Sequence, residues 1–359
     1  MNTVTVNASR RYEVLTGAGL LAKTGELIKE CVPGATKVLV VSDTNVVPLY
    51  MDKVRASVEA AGLSFFEYVF AAGEQSKTID SIAGMWDVMA KEGFTRSDCV
   101  AGLGGGVVGD MAGFAAATFL RGIAIVQIPT SLLAQVDASV GGKTGIDLPK
   151  GKNLVGAFHQ PSIVIEDTEC LKTLSPERFT EGMAEVIKYA FIMDLPLYDI
   201  LKNIADEGRS EDLQNDADKI EDIVCRCVAD KAEVIEKDEK EGGLRQILNY
   251  GHTVGHVIER NSNFSLSHGV CVAKGMGIIH ESMEAQGLLE HDEREKMDSL
   301  IEAFGLPTED PITPQEALDG AMNDKKKRGD TITVITVSKI GKADIRKMSS
   351  EEYLNFIRK

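Results

Sequence analysis

Residues 99–103 are β-rich, the next seven read Gly104-Gly105-Gly106-Val107-Val108-Gly109-Asp110, and residues 111–118 carry a helical pattern. A strand that passes into a helix through consecutive glycines restricts the chain to layered α/β folds, because the helix must pack back onto the sheet it has just left. Glycine there also lets backbone amides approach a pyrophosphate, with the helix N-terminus adding a favourable dipole. A bare tight turn that needs positive φ is the competing reading. The spacing is not Gly-x-Gly-x-x-Gly, so no ordinary dinucleotide fingerprint is matched, yet three adjacent glycines opening a helix favour nucleotide binding.

The surrounding sequence repeats the alternation. Short β-rich runs occur at 37–42, 64–70, 124–128 and 162–165, with helical patterns at 46–61 and 79–92. Regular alternation predicts a mostly parallel sheet covered by helices. Residues 3–6 and 12–15 read as a separate edge hairpin. Beyond about residue 165 helical patterns dominate, at 176–193, 218–237, 244–260, 269–286 and 294–304, before a late β pair at 331–337 and 342–346 and a last helix over 350–357. A length of 359 residues suits two domains, expected at 1–165 and 166–359.

The chain has 39 basic against 55 acidic residues, a net charge of −16. Bulk repulsion opposes nucleic acid and anionic membranes as partners, and the acidic runs at 206–218, 236–241 and 290–295 read as solvated faces. No apolar run reaches the roughly 18 residues of a membrane span. The N-terminal residues lack a basic flank followed by an apolar core, so a cytoplasmic protein without a signal peptide is expected. The six cysteines form no Cys-x-x-Cys pair, and Cys225 and Cys227 do not share a helix face. They are expected to be reduced.

Other polar segments fall beyond strand carboxyl ends, where ligands gather in open α/β sheets. Asp43-Thr44-Asn45 follows the strand at 37–42, and Gly73-Glu74-Gln75-Ser76-Lys77 follows that at 64–70. Asp-Thr-Asn is equally an ordinary helix-start signal. After Pro129-Thr130-Ser131, residues 136–147 and 150–154 are rich in small residues and lysines, and read as a polar loop able to meet an anion. A solvent loop with scattered lysines is the plainer alternative. Arg121 is a further candidate cation, though isolated arginines are more often surface residues.

Three of the six histidines lie within seventeen residues: His252, His256 and His268. Imidazole and carboxylate are the usual ligands of catalytic divalent metals. The spacing of four places His252 and His256 on one helix face, where they can share an ion. Buried histidines are also commonly hydrogen-bonded core residues. Glu185 lies three before Lys188, usually the mark of a plain surface pair, but Met183, Ala184, Val186 and Ile187 around them imply a largely buried helix.

These segments together resemble the 3-dehydroquinate synthases, sugar-phosphate cyclases of the shikimate pathway, which makes aromatic amino acids. The resemblance runs from about residue 37 to 346 and rests on the motifs at 104–110, 136–145, 151–158, 182–188, 244–256, 267–269 and 324–326. It implies a Rossmann-like α/β NAD-binding domain followed by a mostly α-helical metal-binding domain. It implies Zn²⁺, or Co²⁺ in its place, on Glu185, His252 and His268. The implied NAD contacts are Asp43, Asn45, Glu74, Lys77, the run Gly105, Gly106, Val107, Val108, Gly109 and Asp110, then Thr130, Ser131, Lys143 and Lys152, and the turn Cys170, Leu171, Lys172 and Thr173. Threonine is common in place of Ser131, and either supplies a hydroxyl.

The implied substrate contacts are Asp137, Lys143, Asn153, Lys188, Lys231, Arg245, Asn249, His256 and Lys326, with His256 now a phosphate contact and not a ligand. Arg121 is expected to reach a neighbouring subunit's phosphate site, which implies a homodimer. The implied activity is that of a phosphorus–oxygen lyase. It turns 3-deoxy-D-arabino-heptulosonate 7-phosphate, a small anionic sugar-acid phosphate, into 3-dehydroquinate and phosphate. The expected sequence is transient oxidation by NAD, β-elimination, re-reduction and intramolecular aldol closure. Three alternatives remain at this point: another sugar-phosphate cyclase, a metal-dependent polyol or alcohol dehydrogenase, or an inactive binding or regulatory paralogue, whose mark would be loss of a metal ligand. A dehydrogenase would accumulate NADH and leave the basic cluster without purpose.

Overall fold

The structure, a computed structural model, describes residues 1–325 and 331–357. It divides into two compact units, Met1–Leu174 with Ala217–Lys240, and Ser175–Asp216 with Glu241–Lys359.

The first unit contains β1 (Asn2–Asn7), β2 (Arg11–Gly17), α1 (Thr24–Cys31), β3 (Lys37–Asp43), α2 (Val47–Ala60), β4 (Ser64–Phe70), α3 (Ile79–Lys91) and β5 (Cys99–Gly104). It continues through α4 (Gly106–Thr118), β6 (Ala124–Pro129), β7 (Lys143–Leu148), β8 (Gly151–Phe158) and β9 (Ile163–Asp167). Among the described residues, seven strands form one sheet in the order β1-β2-β9-β6-β5-β3-β4. All neighbours are parallel except β1 and β2. Strands β5 and β9 are buried at every position, as expected of parallel strands covered on both faces. Alternate residues serve the two faces. Val38, Val40, Ala101, Leu103, Val126 and Ile128 pack with Met51, Val54 and Val58 of α2. Leu39, Val41, Val100 and Ile125 pack with Ile82, Met85 and Met89 of α3 and with Met111, Ala112 and Ala115 of α4.

Four sequence expectations change here. The N-terminal hairpin is not separate, because β2 pairs in parallel with β9 and so extends the main sheet. Helix α4 begins at Gly106 instead of 111, since the glycine turn is confined to Gly104-Gly105. The supposed polar loop holds a one-turn π-helix, Ala134–Ala138, and the antiparallel hairpin β7–β8. That hairpin is pinned by Ile146, which joins the α3–α4 core, while its glycines and lysines mask the strand signal.

Finally, the unit boundary lies at 174 and not at 165, and Ala217–Lys240 returns to the first unit. Helix α7 (Ala217–Lys237) is tied there by polar contacts with the N-terminal strands. The amide and side chain of Asn7 donate to Glu236 Oε1 at 3.0 and 2.7 Å, and Asn2 Nδ2 donates to Glu221 Oε1 at 3.0 Å. Just past α7, Ser9 Oγ donates to Glu239 at 2.6 Å. The change from mixed to helical sequence is a change of element type, and it does not coincide with the change of unit.

The second unit holds α5 (Pro176–Ile192), α6 (Leu195–Asp206), α8 (His252–Asn261), α9 (His268–Ala285), α10 (His291–Ala303) and α11 (Pro314–Lys325). The antiparallel pair β10 (Thr331–Lys339) and β11 (Lys342–Ser349) and the helix α12 (Ser350–Phe356) complete it. The helix expected over 244–260 is broken: a 3-10 turn spans Leu244–Asn249, and α8 starts afresh at His252 after a left-handed Gly251. No helix among the described residues is long and apolar enough to cross a membrane. All six cysteines are free thiols.

Candidate active site

In the second unit, α5 starts from Ser175, whose hydroxyl accepts the Arg178 amide at 3.4 Å. From Glu181 to Ile192 every residue of α5 is buried, so Glu185 and Lys188 pair inside the protein, at 0 % and 1 % exposure, and not on its surface. His252 opens α8 and His268 opens α9. Two glycines let these backbones touch. A Cβ at Gly269 would stand 2.0 Å from the Glu181 carbonyl oxygen of α5, and one at Gly275 would stand 2.0 Å from the Gly251 carbonyl oxygen. Close approach at both points brings the two helix starts to Glu185. His252 Nε2 lies 3.4 Å and His268 Nε2 3.5 Å from Glu185 Oε1. The ligand atoms of Glu185, His252 and His268 all fall within 4.8 Å of one another.

This trio fits a divalent ion. Neither Glu185 oxygen receives a hydrogen bond of normal geometry, and a buried carboxylate in that state needs cationic partners. Lys188 supplies one by ion pairing with Oε2, which leaves Oε1 facing the two imidazoles. Burial alone would raise the Glu185 carboxyl, but Lys188 and His252 outweigh it and hold it well below the usual range. It is therefore ionised, as a ligand must be. His252 Nδ1 donates to the Tyr250 carbonyl oxygen at 2.9 Å, so Nε2 is the nitrogen left to face an ion. Burial opposes protonation of His268, yet the Glu185 and Glu259 carboxylates, each 3.5 Å from its ring nitrogens, lift its pKa to about 10.

His256 shares the α8 face with His252, as the spacing required, with ring centroids 5.5 Å apart. It does not join the Glu185 group. It belongs instead with Glu259 and His268 in a second cluster whose ligand atoms also lie within 4.8 Å. Burial and the neighbouring His252 and His268 push His256 down to about 3, so its imidazole is neutral. Glu259 was missed in the sequence, although its place three after His256 on one helix face was the available signal. Its Oε2 stands 3.5 Å from His268 Nδ1, where a carboxylate orients a ligating imidazole. Arg245 is buried on the 3-10 turn at 1 % exposure, and Asn249 Nδ2 donates to Glu241 Oε1 at 2.7 Å. Lys326 lies outside the described residues.

In the first unit, polar residues gather at the sheet's carboxyl edge. Gly105 is the N-cap of α4 and offers no side-chain cap, so the amides that open α4, from Gly106, Val107 and Val108, have no capping oxygen and suit a phosphate. Gly109 and Asp110 complete the first turns. Thr130 donates its amide to the Gly104 carbonyl at 3.0 Å, and Ser131 Oγ accepts from the Ala134 amide at 3.3 Å, which fixes this turn beside the glycines.

Lys77, 3 % exposed, joins several expected residues. Its Nζ donates to Asp110 Oδ2 at 2.6 Å and to Asn153 Oδ1 at 2.5 Å, and stands 3.9 Å from Glu74 Oε1. Lys152 approaches that same Glu74 oxygen at 3.7 Å. Burial would lower the Lys77 pKa, but Asp110 and Glu74 prevail and raise it. This arrangement is compatible with a dinucleotide, since the chain's own charges are already balanced around an uncapped helix start.

Asp43 Oδ1 accepts the amides of Asn45 and Val46 at 2.8 and 3.1 Å, so it is at least the helix-start signal its sequence allowed. The carbonyl of Cys170 accepts from Tyr50 Oη and Thr173 Oγ1, each at 3.1 Å. Leu171 is buried beside it, and Lys172 lies 3.7 Å from Glu169. Lys231 of α7 is buried and pairs with Asp137 Oδ1 at 2.6 Å. Lys143 is exposed on β7. Arg121 does not join this edge. It is exposed in a left-handed turn with Leu120 (φ 69° and 49°), just before β6 begins.

A parallel α/β unit with a glycine-opened helix at its carboxyl edge, together with a helical unit holding a Glu–His–His trio around a buried carboxylate, defines a class of enzyme that pairs a dinucleotide with a divalent metal. Residues 67–181 match the 3-dehydroquinate synthase N-terminal family and residues 182–327 the C-terminal family. The chain is 40 % identical to the 3-dehydroquinate synthase of Streptococcus mutans over 357 residues, covering 99 % of each. It is 43 % identical to that of Pelobacter propionicus over 359 residues, covering 99 % of this chain and 98 % of the relative. In fold it is similar to 2-epi-5-epi-valiolone synthase from Streptomyces hygroscopicus, solved with NAD⁺ and Zn²⁺ bound, at a TM-score of 0.87 and 25 % identity, covering 99 % and 98 % of the chains. The chain belongs to the 3-dehydroquinate synthase family and is a phosphorus–oxygen lyase.

Proposed function

We propose that the chain converts 3-deoxy-D-arabino-heptulosonate 7-phosphate into 3-dehydroquinate and inorganic phosphate, the cyclising step of the shikimate pathway. The observation that carries the site assignment is the Glu185–His252–His268 trio around a buried carboxylate, in a chain that matches named synthases over nearly its whole length. Bound NAD would supply a hydride acceptor that is restored each turnover, and bound Zn²⁺ or Co²⁺ would polarise the substrate oxygens it touches.

The chain's own residues do the rest. Glu185, His252 and His268 hold the ion. Asp43, Asn45, Glu74, Lys77, Lys143, Lys152, Thr130, Ser131, the amides of residues 105–110 and the 170–173 turn hold the dinucleotide. Lys143, Asn153, Lys188, Lys231, Arg245, Asn249, His256 and Lys326 bind the substrate's carboxylate, hydroxyls and phosphate, and Asp137 holds Lys231 in place. An acidic chain can bind an anion through charge-assisted hydrogen bonds from such cations and amide donors despite its net charge. Neutral His256 donates a hydrogen bond to phosphate without holding the released ion as tightly as a cation would. Lys188, ion-paired with Glu185, donates a hydrogen bond from Nζ to a substrate oxygen. Arg121 serves the neighbouring subunit of a cytoplasmic homodimer.

Purified protein given NAD⁺ and Zn²⁺ is expected to release phosphate from this substrate with no net NADH. Release no greater than that of a metal-stripped control sinks the proposal, and stoichiometric NADH reassigns the chain to the dehydrogenases.

A further inference from the structure

Behind the metal trio lies a second polar chain, fully buried at Tyr250 and His280, that ligation does not use. His280 of α9 is 0 % exposed. Its Nδ1 stands 2.5 Å from Asp298 Oδ1 of α10, and its Nε2 is hydrogen-bonded to the Tyr250 hydroxyl. A carboxylate at Nδ1 fixes the proton on that nitrogen, so Nε2 is the acceptor and the tyrosine hydroxyl the donor. Asp298 is held in turn by Arg294 Nε at 3.1 Å, and Arg294 also pairs with Glu284. The Tyr250 ring is 0 % exposed and lies 5.9 Å from the His280 ring.

Tyr250 also carries the carbonyl that meets His252 Nδ1 at 2.9 Å. We infer that His280, clamped by Asp298, is a positioning residue for the metal ligand His252, acting through Tyr250. Phenylalanine would fill the same space and need no buried partner. The hydroxyl, imidazole and carboxylate therefore serve orientation: they fix the tyrosine ring, hence its carbonyl, hence the direction of the His252 Nε2 lone pair. Outer partners of this kind set ligand angle and tautomer in metal sites. Here the carbonyl is the immediate outer partner, and the His280–Asp298 pair stands one step further out.

The inference rests on His252 being a ligand, and the test separates the two. Full-length wild type, Y250F, D298N, H280Q and H252A are compared for Zn²⁺ affinity by chelator competition, for the Co²⁺ absorption spectrum, for NAD⁺ affinity and for melting temperature. Y250F and D298N are expected to bind Zn²⁺ on the order of 10-fold more weakly and to shift the Co²⁺ bands, with NAD⁺ affinity unchanged. H280Q, whose amide can accept from Tyr250 and donate to Asp298, is expected to recover most of that affinity. Lower melting with unaltered Zn²⁺ affinity and Co²⁺ bands reduces the chain to packing and overturns the inference. D298N decides alone if Y250F does not fold. H252A that keeps full Zn²⁺ affinity overturns the ligand assignment and the inference together. H252A that loses Zn²⁺ beside an unaffected D298N overturns the inference alone.

Discussion

Two imidazoles, His252 and His268, meet one oxygen of Glu185, and this geometry makes residue-level demands. His268→Ala removes a proposed ligand, so both metal and turnover should be lost by more than the ~10–100-fold typical of outer-partner loss. Metal analysis beside phosphate release checks this, and retained metal with full activity refutes the role of His268. Glu259→Gln, which keeps shape but removes charge behind His268 Nδ1, should fall within that ~10–100-fold range in metal affinity. The residue types of the trio were legible because imidazole and carboxylate chemistry is distinctive. Which histidine stands aside was not. A spacing of four makes His252 and His256 neighbours, but only packing against α5 decides which of them faces Glu185.

At the scale of elements, helix starts matter more than helix middles. His252 and His268 are each the first residue of a helix, positioned by backbone contacts that glycine permits. Gly275→Ala forces a methyl group against the Gly251 carbonyl. Overpacking of this sort costs about 1–3 kcal/mol, and here it would also part α8 from α9. A lower melting temperature and weakened metal binding should therefore appear together, and unchanged metal affinity would show that the histidines do not depend on this contact. Strands β3, β5 and β6 were plain in the sequence, because buried parallel strands read as unbroken apolar runs. The hairpin β7–β8 was not, since glycines, lysines and an asparagine interrupt its apolar residues, and Ile146, Val155 and Ala157 pack on the α3–α4 core without a regular alternation. The break at Tyr250-Gly251 was hidden for a similar reason: the apolar spacing from 244 to 260 suits one helix, and only the left-handed glycine interrupts it.

For the whole molecule, stability should depend on pH and on metal. Glu166 of β9 is fully buried with one hydrogen bond from Thr16, at 2.8 Å, and burial lifts its pKa from 4.5 to about 8. The folded chain keeps this proton where the unfolded chain has lost it. The contribution of Glu166 to stability is thus greatest below the unfolded value, falls as pH rises through the window between the two, and levels off above about 8. The melting-temperature gap between Glu166→Gln and wild type should move in the variant's favour from about pH 5.5 to 8; a constant gap would mean that this carboxyl ionises normally. Zn²⁺ at about 100 times its Kd should add about 2.7 kcal/mol to the stability of the unit that binds it. A last consequence follows from α7. Because residues 217–240 complete the first unit, a growing chain of 174 residues lacks the helix that Asn2 and Asn7 bind. On a ribosome the N-terminal unit must wait, with part of the other unit already emerged, and cannot fold as a finished module. The two units are thus coupled in the order of their making, and no single cut in the gene yields both of them whole.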